Sequence, residues 1–375
     1  MSLDKTTIPG IDKPVGRVGF GLMLLTMCPE DERESDDKAF EAMKTAIESG
    51  SNLWVTGSFY GPPNDLRANL KLIKRFFDKY PQYLHEVVLC MKGGMGPGHA
   101  LITDLGELRA DVKDCQSALG AKKIDVFEYG RVPRDATTLT PGPIEKVISN
   151  FLTLRSEGLF TAISISEATA STFTRAHSVT PISFNELELS LWSLETEILE
   201  AVEVAAKAHV PVLAYSPLGR GFLTGRWKTP EDIPEGHPRK MFPRFQGENF
   251  YKNMELVKQL EKISQKTGRT TAQLALAYIM TRFDNVIPIP GSGNPKRVKE
   301  NVAAASMRLT KEEMEEIDAI LASFKPEGDR YPEFAKGMLV SIFSSHTSIT
   351  SADDDRWVDH MQTNLSPWAN SERAL

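Results

Sequence analysis

The stretch Asp36-Asp37-Lys38-Ala39-Phe40-Glu41-Ala42-Met43-Lys44-Thr45-Ala46-Ile47-Glu48, running on through Gly50 and Ser51 into Asn52-Leu53-Trp54-Val55-Thr56, decides the fold class. Phe40, Met43 and Ile47 recur at i, i+3 and i+7, one face of an amphipathic helix. Residues 52–56 form a short, mostly apolar run closed by Gly57, which predicts a strand. Another such run, Arg17–Met23, precedes the helix. Strand, helix and strand in that order predict parallel strands joined by a right-handed crossover. The alternation continues through Val87–Lys92, Ile124–Gly130, Thr161–Ser166, Ile182–Glu188, Pro211–Ser216 and Val286–Pro290. The helical period returns in Met254–Lys266, with Leu256, Leu260 and Ile263 on one face. Thr310-Lys311-Glu312-Glu313 reads as a capping box ahead of Met314, Ile317, Ile320 and Leu321. Eight strands separated by helices predict an α/β fold, a (β/α)8 TIM barrel, and 375 residues suit one with insertions. A doubly wound sheet is the rival. Its phosphate fingerprint is missing, because the glycines of 219–225 and 93–98 do not fall at the GxGxxG offsets.

Residues 1–338 are therefore read as one barrel. Residues 339–375, rich in Ser, Thr and Asp and carrying Trp357 and Trp368, are read as a C-terminal extension, either docked or a flexible tail. Gly225–Gln246, rich in Pro, Arg and Lys, reads as a long loop on the active face, a lid or a disordered segment. With 44 Lys and Arg against 50 Asp and Glu, the net charge is −6, and there is no basic footprint for nucleic acid or a membrane surface. Three cysteines, Cys28, Cys90 and Cys115, make no disulfide framework and no CxxC pair. Residues 1–10 hold no apolar signal core, and no run approaches 18 apolar residues, so a cytoplasmic protein is expected. The seven histidines show no HxxxH or HxH pairing, so no metal site is expected. Asp353-Asp354-Asp355 reads as a solvated acidic run, GxSxG is absent, and the Asn364-Leu365-Ser366 sequon has no signal peptide to go with it.

Catalytic groups of such barrels sit at the C-terminal ends of the strands. Those ends read Val55-Thr56-Gly57-Ser58-Phe59-Tyr60-Gly61, Cys90-Met91-Lys92-Gly93-Gly94, Glu128-Tyr129-Gly130-Arg131 and Ile165-Ser166-Glu167. They continue with Glu186-Leu187-Glu188-Leu189-Ser190-Leu191-Trp192, Tyr215-Ser216-Pro217-Leu218-Gly219-Arg220-Gly221, and Pro290-Gly291-Ser292-Gly293 with Arg297, Glu300 and Asn301 beyond. This succession, from about Val15 to Tyr331, resembles the aldo-keto reductases. The Glu-x-Glu-Leu-Ser-Leu run and Gly328-Asp329-Arg330-Tyr331 are most similar to the pyridoxal reductase branch.

The resemblance implies NADPH-dependent reduction of a small-molecule aldehyde or ketone by hydride transfer, the substrate pyridoxal-like or a bulkier metabolite. It implies Tyr60 as general acid and Lys92 as the neighbour that draws the phenol pKa towards working pH. It further implies Ser166 and Glu186 at the nicotinamide amide, Tyr215 stacked on the nicotinamide ring, and Ser216, Leu218, Gly219 and Gly221 around the pyrophosphate. Gly291, Ser292, Arg297, Glu300 and Asn301 match the adenosine site, with Arg297, helped by Lys296, reading a 2′-phosphate. Asn294 stands where a basic residue is frequent.

Two positions depart from the family's Asp-Tyr-Lys-His site. Val55 stands for the aspartate and Gly130 for the histidine. Loss of the aspartate predicts a desolvated Lys92 with a lowered pKa. Period-2 alternation puts Glu128 on the face of Gly130 one layer deeper, beside Lys92, as the candidate replacement charge. A glycine at 130 predicts an open pocket wall, with Trp54, Val55, Phe59, Tyr129 and Trp192 as further pocket residues. Two rival readings stand beside the reductase: a cofactor-binding regulatory barrel, as in the potassium-channel beta subunits of this superfamily, and a barrel turned to non-redox chemistry.

Overall fold

A computed structural model describes residues 5–27, 35–62, 64–96, 100–132, 143–235 and 237–333. The proposed extension 339–375 and Cys28 lie outside them. Eight parallel strands pair in chain order: β3 (Phe20–Gly21), β4 (Leu53–Gly57), β5 (Val88–Gly93), β6 (Val126–Tyr129), β7 (Ala162–Ser166), β8 (Asn185–Glu188), β9 (Val212–Tyr215) and β10 (Val286–Pro288). Gly19 N donates to Pro288 O at 2.9 Å and Gly21 N to Pro290 O at 3.3 Å, which joins the last strand to the first and closes the barrel. At that seam a Cβ on Gly291 would stand 2.5 Å from the carbonyl oxygen of Gly21, so only glycine permits the approach.

The strand alternation sorts side chains into two cores. Val55, Val88, Cys90, Val126, Ala162, Phe184, Leu213, Ile287 and Ile289 fill the barrel interior. Trp54, Leu89, Met91, Phe127, Tyr129, Ile163, Ile165 and Val212 face outward into the helical layer. That layer includes α1 (Asp36–Glu48), α2 (Ala68–Lys79), α3 (Leu105–Leu119), α4 (Pro143–Ser156), α5 (Ala170–Val179) and α6 (Thr196–Lys207). It continues through α7 (Gly247–Thr267), α8 (Thr271–Arg282), α9 (Pro295–Ala303) and α10 (Lys311–Ser323). The helix read at residues 36–48 has those bounds, and Thr310 caps α10 with Glu313 in a reciprocal box.

Three details differ from the sequence reading. The first barrel strand shrinks from Arg17–Met23 to two residues, because Gly19 and Gly21 bond across the closing seam. A hairpin of β1 (Lys5–Ile8) and β2 (Ile11–Gly16), which hydropathy did not reveal, turns at Gly10 (φ 80°). Its Ile8 and Val15 plug the N-terminal end of the barrel. Residues 225–246 are no featureless loop: three short 3-10 turns, Pro230–Asp232, Pro238–Met241 and Pro243–Phe245, pack through buried Trp227 and Phe245.

Candidate active site

The inward positions change character along the barrel. Low in the strands they are aliphatic; at the C-terminal ends they become Gly57, Lys92, Glu128, Ser164, Ser166, Glu186 and Tyr215. Strand register pairs Lys92 with Glu128 and Glu128 with Ser164, and Ser166 pairs with Glu186. All the polar members of this ring before Tyr215 are buried.

Lys92 Nζ lies 2.5 Å from Glu186 Oε2 and 3.3 Å from Glu128 Oε1, and Cys90 Sγ lies 3.3 Å from Glu128 Oε2. Glu128 thus stands within reach of Lys92, and Glu186 stands closer still. The expectation of a partnerless lysine is corrected. Burial alone would lower the ammonium's pKa, but Glu128 and Glu186 outweigh it and hold Lys92 well above the ordinary value. The two carboxylates share one cation, so burial first, and then repulsion from Glu186, push Glu128 up to about 8. Burial likewise pushes the Cys90 thiol up, which leaves it inert.

Tyr60 sits in the turn after β4, its N–H donating to Gly57 O at 3.2 Å. Its ring folds back so closely over the strand end that a Cβ on Gly57 would touch it at 3.0 Å. The Tyr60 carbonyl accepts from Thr26 Oγ1 at 2.8 Å and from Asn69 N at 3.2 Å. Asn69 in turn donates to Leu22 O and Thr26 Oγ1 and accepts from outward-facing Thr56. This buried Thr26–Asn69–Thr56 network fixes the tyrosine's backbone; no local sequence pattern marks it. Lys92 Nζ lies 5.9 Å from the centre of the Tyr60 ring. The lysine does pull the phenol pKa down, as does Arg131, but burial is the larger influence and the two glutamates add to it. Tyr60 stands at about 12.

Four pocket expectations change. Trp54 and Tyr129 point out of the barrel: Trp54 packs on Phe20, Phe76 and Phe77, and Tyr129 packs on Phe151 and donates to Ile102 O at 3.2 Å. Strand parity, which places Val55 and Glu128 inside, forces their neighbours Trp54 and Tyr129 outside. Trp192 is stacked beneath Phe222 with ring centres 4.7 Å apart, and a Cβ on Gly219 would meet its indole at 2.7 Å. It supports the loop and does not line the mouth. The wall at Gly130 is not open either, because a Cβ there would stand 2.8 Å from Met95 Sδ and 3.2 Å from Phe59. Met95 fills the room that a larger residue 130 would take. Phe59 is half-buried against Tyr60, and Val55 lies in the barrel interior.

The proposed cofactor residues form two groups. Around the mouth, Ser166 Oγ lies 3.3 Å from Arg131 Nη1, and Tyr215 Oη lies 3.2 Å from Tyr331 Oη. Ser216 (φ 49°), Gly219 (φ 56°), Arg220 (φ 56°) and Gly221 (φ 95°) make a chain of left-handed turns, with Gly221 N donating to Leu218 O at 2.9 Å. Around α9, Asn294 caps the helix, accepting from Lys296 N at 3.0 Å and Arg297 N at 3.3 Å, while both basic side chains are exposed. Ser292 Oγ accepts from Asn294 N, Asn301 is buried, and Glu300 Oε1 accepts from Thr270 at 2.6 Å. Glu300 and Glu186 are thus already engaged by protein partners.

Sequence reading missed a second ion cluster at the mouth. Arg330 Nη2 lies 3.1 Å from Glu188 and 3.4 Å from Glu167, and Arg220 Nη2 lies 3.2 Å from Glu188. The Arg220 guanidinium is also sandwiched between Phe242 and Tyr331, at 4.2 and 4.6 Å from their ring centres. Glu-x-Glu-Leu-Ser-Leu and Gly-Asp-Arg-Tyr meet here through Glu188 and Arg330, 142 residues apart; that two-motif coincidence was the available signal.

The aldo/keto reductase family pattern matches residues 17–322. A probable pyridoxal reductase of Schizosaccharomyces pombe is 34% identical over 330 residues, 84% of this chain and 95% of the relative. An aldo-keto reductase of the same yeast whose name carries NADP(+) is 32% identical, covering 85% and 92%. One from Strobilurus tenacellus is 33% identical, covering 84% and 92%. Among solved structures, the glycerol dehydrogenase of Gluconobacter oxydans superposes with a TM-score of 0.74 at 24% identity over 88% of this chain and 98% of its own. An aldo-keto reductase of Bacillus halodurans in its holo form gives 0.65 at 23%, over 85% and 96%.

Proposed function

Since the chain belongs to the aldo/keto reductase family, a family of oxidoreductases, we propose that it reduces an aldehyde or ketone with NADPH, with Tyr60 as the proton donor. The observation that carries this reading is Lys92, 5.9 Å from the Tyr60 ring and ion-paired to Glu186 and Glu128 although the usual aspartate is Val55. The electrostatic partner of the acid is kept by other means.

NADPH, when bound, supplies the hydride. The residues present fit it: Ser166 and the half-buried ring of Tyr215 would hold the nicotinamide, the left-handed turns at Ser216 and 219–221 would wrap the pyrophosphate, and exposed Lys296 and Arg297 would hold a 2′-phosphate. Glu186 and Glu300 leave that set, because their carboxylates are taken by Lys92 and Thr270. At neutral pH Tyr60 keeps its proton, as a donor must. The oxygen of a carbonyl receiving hydride becomes more basic than a phenolate, so the proton moves from Tyr60 Oη to that oxygen. Lys92 and Arg131 then stabilise the phenolate left behind. Substrates of the size and chemistry of pyridoxal are proposed from the name of the yeast relative.

The test is NADPH oxidation with a panel of aldehydes that includes pyridoxal, run on wild type and Tyr60→Phe. A loss of about 10²- to 10⁴-fold with cofactor affinity retained is expected, the range a positioned acid contributes. Full activity in the variant overturns the assignment of the acid, and NADPH binding without oxidation by wild type favours the regulatory reading.

A further inference from the structure

Buried cations at the barrel mouth are matched by carboxylates. Lys92 meets Glu128 and Glu186, Arg330 meets Glu167 and Glu188, Arg220 meets Glu188, and Arg244 meets Glu195. Arg131 differs: among the described residues no carboxylate oxygen lies within 4 Å of it. Its Nη1 donates to Gly130 O at 2.6 Å and to Ser166 Oγ at 3.3 Å. Its Nε is buried without a partner, and Nη2 donates to no described group. Burial opposes its charge, yet the hydroxyls of Tyr215, Tyr331 and Tyr60 and the Glu167 carboxylate face it, and it stays protonated. Glu167 is already bound by Arg330.

A half-buried cation whose Nε is buried and unpartnered is costly unless something supplies the counter-charge. The planar fork of a guanidinium suits an anionic oxygen better than a neutral one. Arg131 follows Gly130, whose Cβ direction meets Phe59 at 3.2 Å, and the Phe59 ring packs on Tyr60 with centres 5.3 Å apart, so an anion received by Arg131 sits near the proposed acid. We propose that Arg131 is a specificity-determining residue that binds an anionic oxygen carried by the substrate beside its reducible carbonyl, as in an aldehyde with an ortho phenolate. The proposal rests on Tyr60 as the acid: the substrate then presents neighbouring oxygens, one to Tyr60 and one to Arg131.

The probe pair is 5-nitrosalicylaldehyde, ionised at neutral pH, and its neutral methyl ether, assayed on wild type, Arg131→Leu and Arg131→Lys. Intrinsic reactivity cancels when the ratio of kcat/KM values for the two aldehydes is compared between proteins. In Arg131→Leu the ratio should fall about 10- to 100-fold, the worth of a hydrogen bond to a charged group. Loss of the Arg131 charge that stabilises the Tyr60 phenolate slows both aldehydes alike and cancels in the ratio; NADPH affinity is followed by fluorescence, and Arg131→Lys should recover part of the ratio. Equal loss on both aldehydes, with the ratio unchanged, would make Arg131 a donor to the carbonyl itself, and weakened NADPH binding at an unchanged ratio would make it a cofactor ligand; either overturns the proposal. Should wild type reduce neither aldehyde, the reductase reading fails separately. Calorimetry with the non-reducible 5-nitrosalicyl alcohol then decides: binding lost in Arg131→Leu supports the anion site, and unchanged binding refutes it.

Discussion

Two ion clusters share the mouth of this barrel, and their arithmetic differs. In the outer one, Glu167 and Glu188 face Arg330 and Arg220, two anions against two cations. Burial alone would raise the Glu188 carboxyl, but Arg220, Arg330 and Arg244 outweigh it and hold its pKa low. In the inner one, Glu128 and Glu186 face Lys92 alone, and Glu128 rises to about 8. The balanced cluster, with Glu188 held low, acts as a clamp between β7, β8, the 219–221 loop and the C-terminal segment at 328–331. An unbalanced one holds a proton that comes and goes near neutrality. Proximity to Tyr60 makes that proton matter.

Removing the cation of each cluster should break the comparison in different currencies, activity for the inner one and stability for the outer. Lys92→Met takes away the strongest influence lowering the Tyr60 pKa and leaves two buried carboxyls without their cation. We expect kcat to fall about 10²- to 10³-fold with NADPH affinity within a few-fold, read by stopped-flow NADPH oxidation and fluorescence titration. Retention of most of the activity would mean that Tyr60 works without its partner. Arg330→Ala strips Glu167 of its ion-pair partner and leaves Glu188 ion-paired only to Arg220. Stability should drop by about 3 kcal/mol, as when one member of a buried pair is removed, shifting the urea midpoint at constant m-value. An unchanged midpoint would show that the outer cluster is not the clamp described.

Most of the fold was legible because strand and helix periods are properties of neighbouring residues. The 36–48 helix and the strand cores from residue 52 to 288 follow from alternation alone. What stayed hidden depends on partners far away in sequence. The two-residue first strand is set by its bonds to Pro288 and Pro290 across the seam. Trp54 and Tyr129 went wrong because family likeness was read by proximity to Val55 and Gly130, when parity already sent adjacent residues to opposite faces. Glu128 was found by that same parity rule. Glu186 was assigned to the cofactor, and its 2.5 Å contact with Lys92 depends on the barrel's curvature, which no spacing encodes. Met95 filling the space at Gly130 belongs to the same class: a loop residue from β5 entering a gap on β6.

The smallest change is the sharpest. Glu128→Gln keeps the shape of the side chain and converts the inner cluster to one anion and one cation, the balance of the outer cluster. The groups facing Glu128 are Lys92, Glu186 and Cys90, with Tyr60 within electrostatic range. As Glu128 ionises, its charge adds to the forces that keep the proton on Tyr60. Reduction by wild type should therefore decline as pH rises through about 8, and Glu128→Gln should be flat from pH 7 to 9 with activity at pH 7 within a few-fold. Stability carries the same sign. A carboxyl raised from its ordinary 4.5 to about 8 favours folding fully below 4.5, and that contribution is lost as pH rises through 8. Thermal midpoints of wild type should thus fall between pH 6 and 9 more steeply than those of Glu128→Gln. If the variant keeps both the declining limb and the steep midpoints, the proton near neutrality belongs to another group, and the contrast between the two clusters is one of geometry alone.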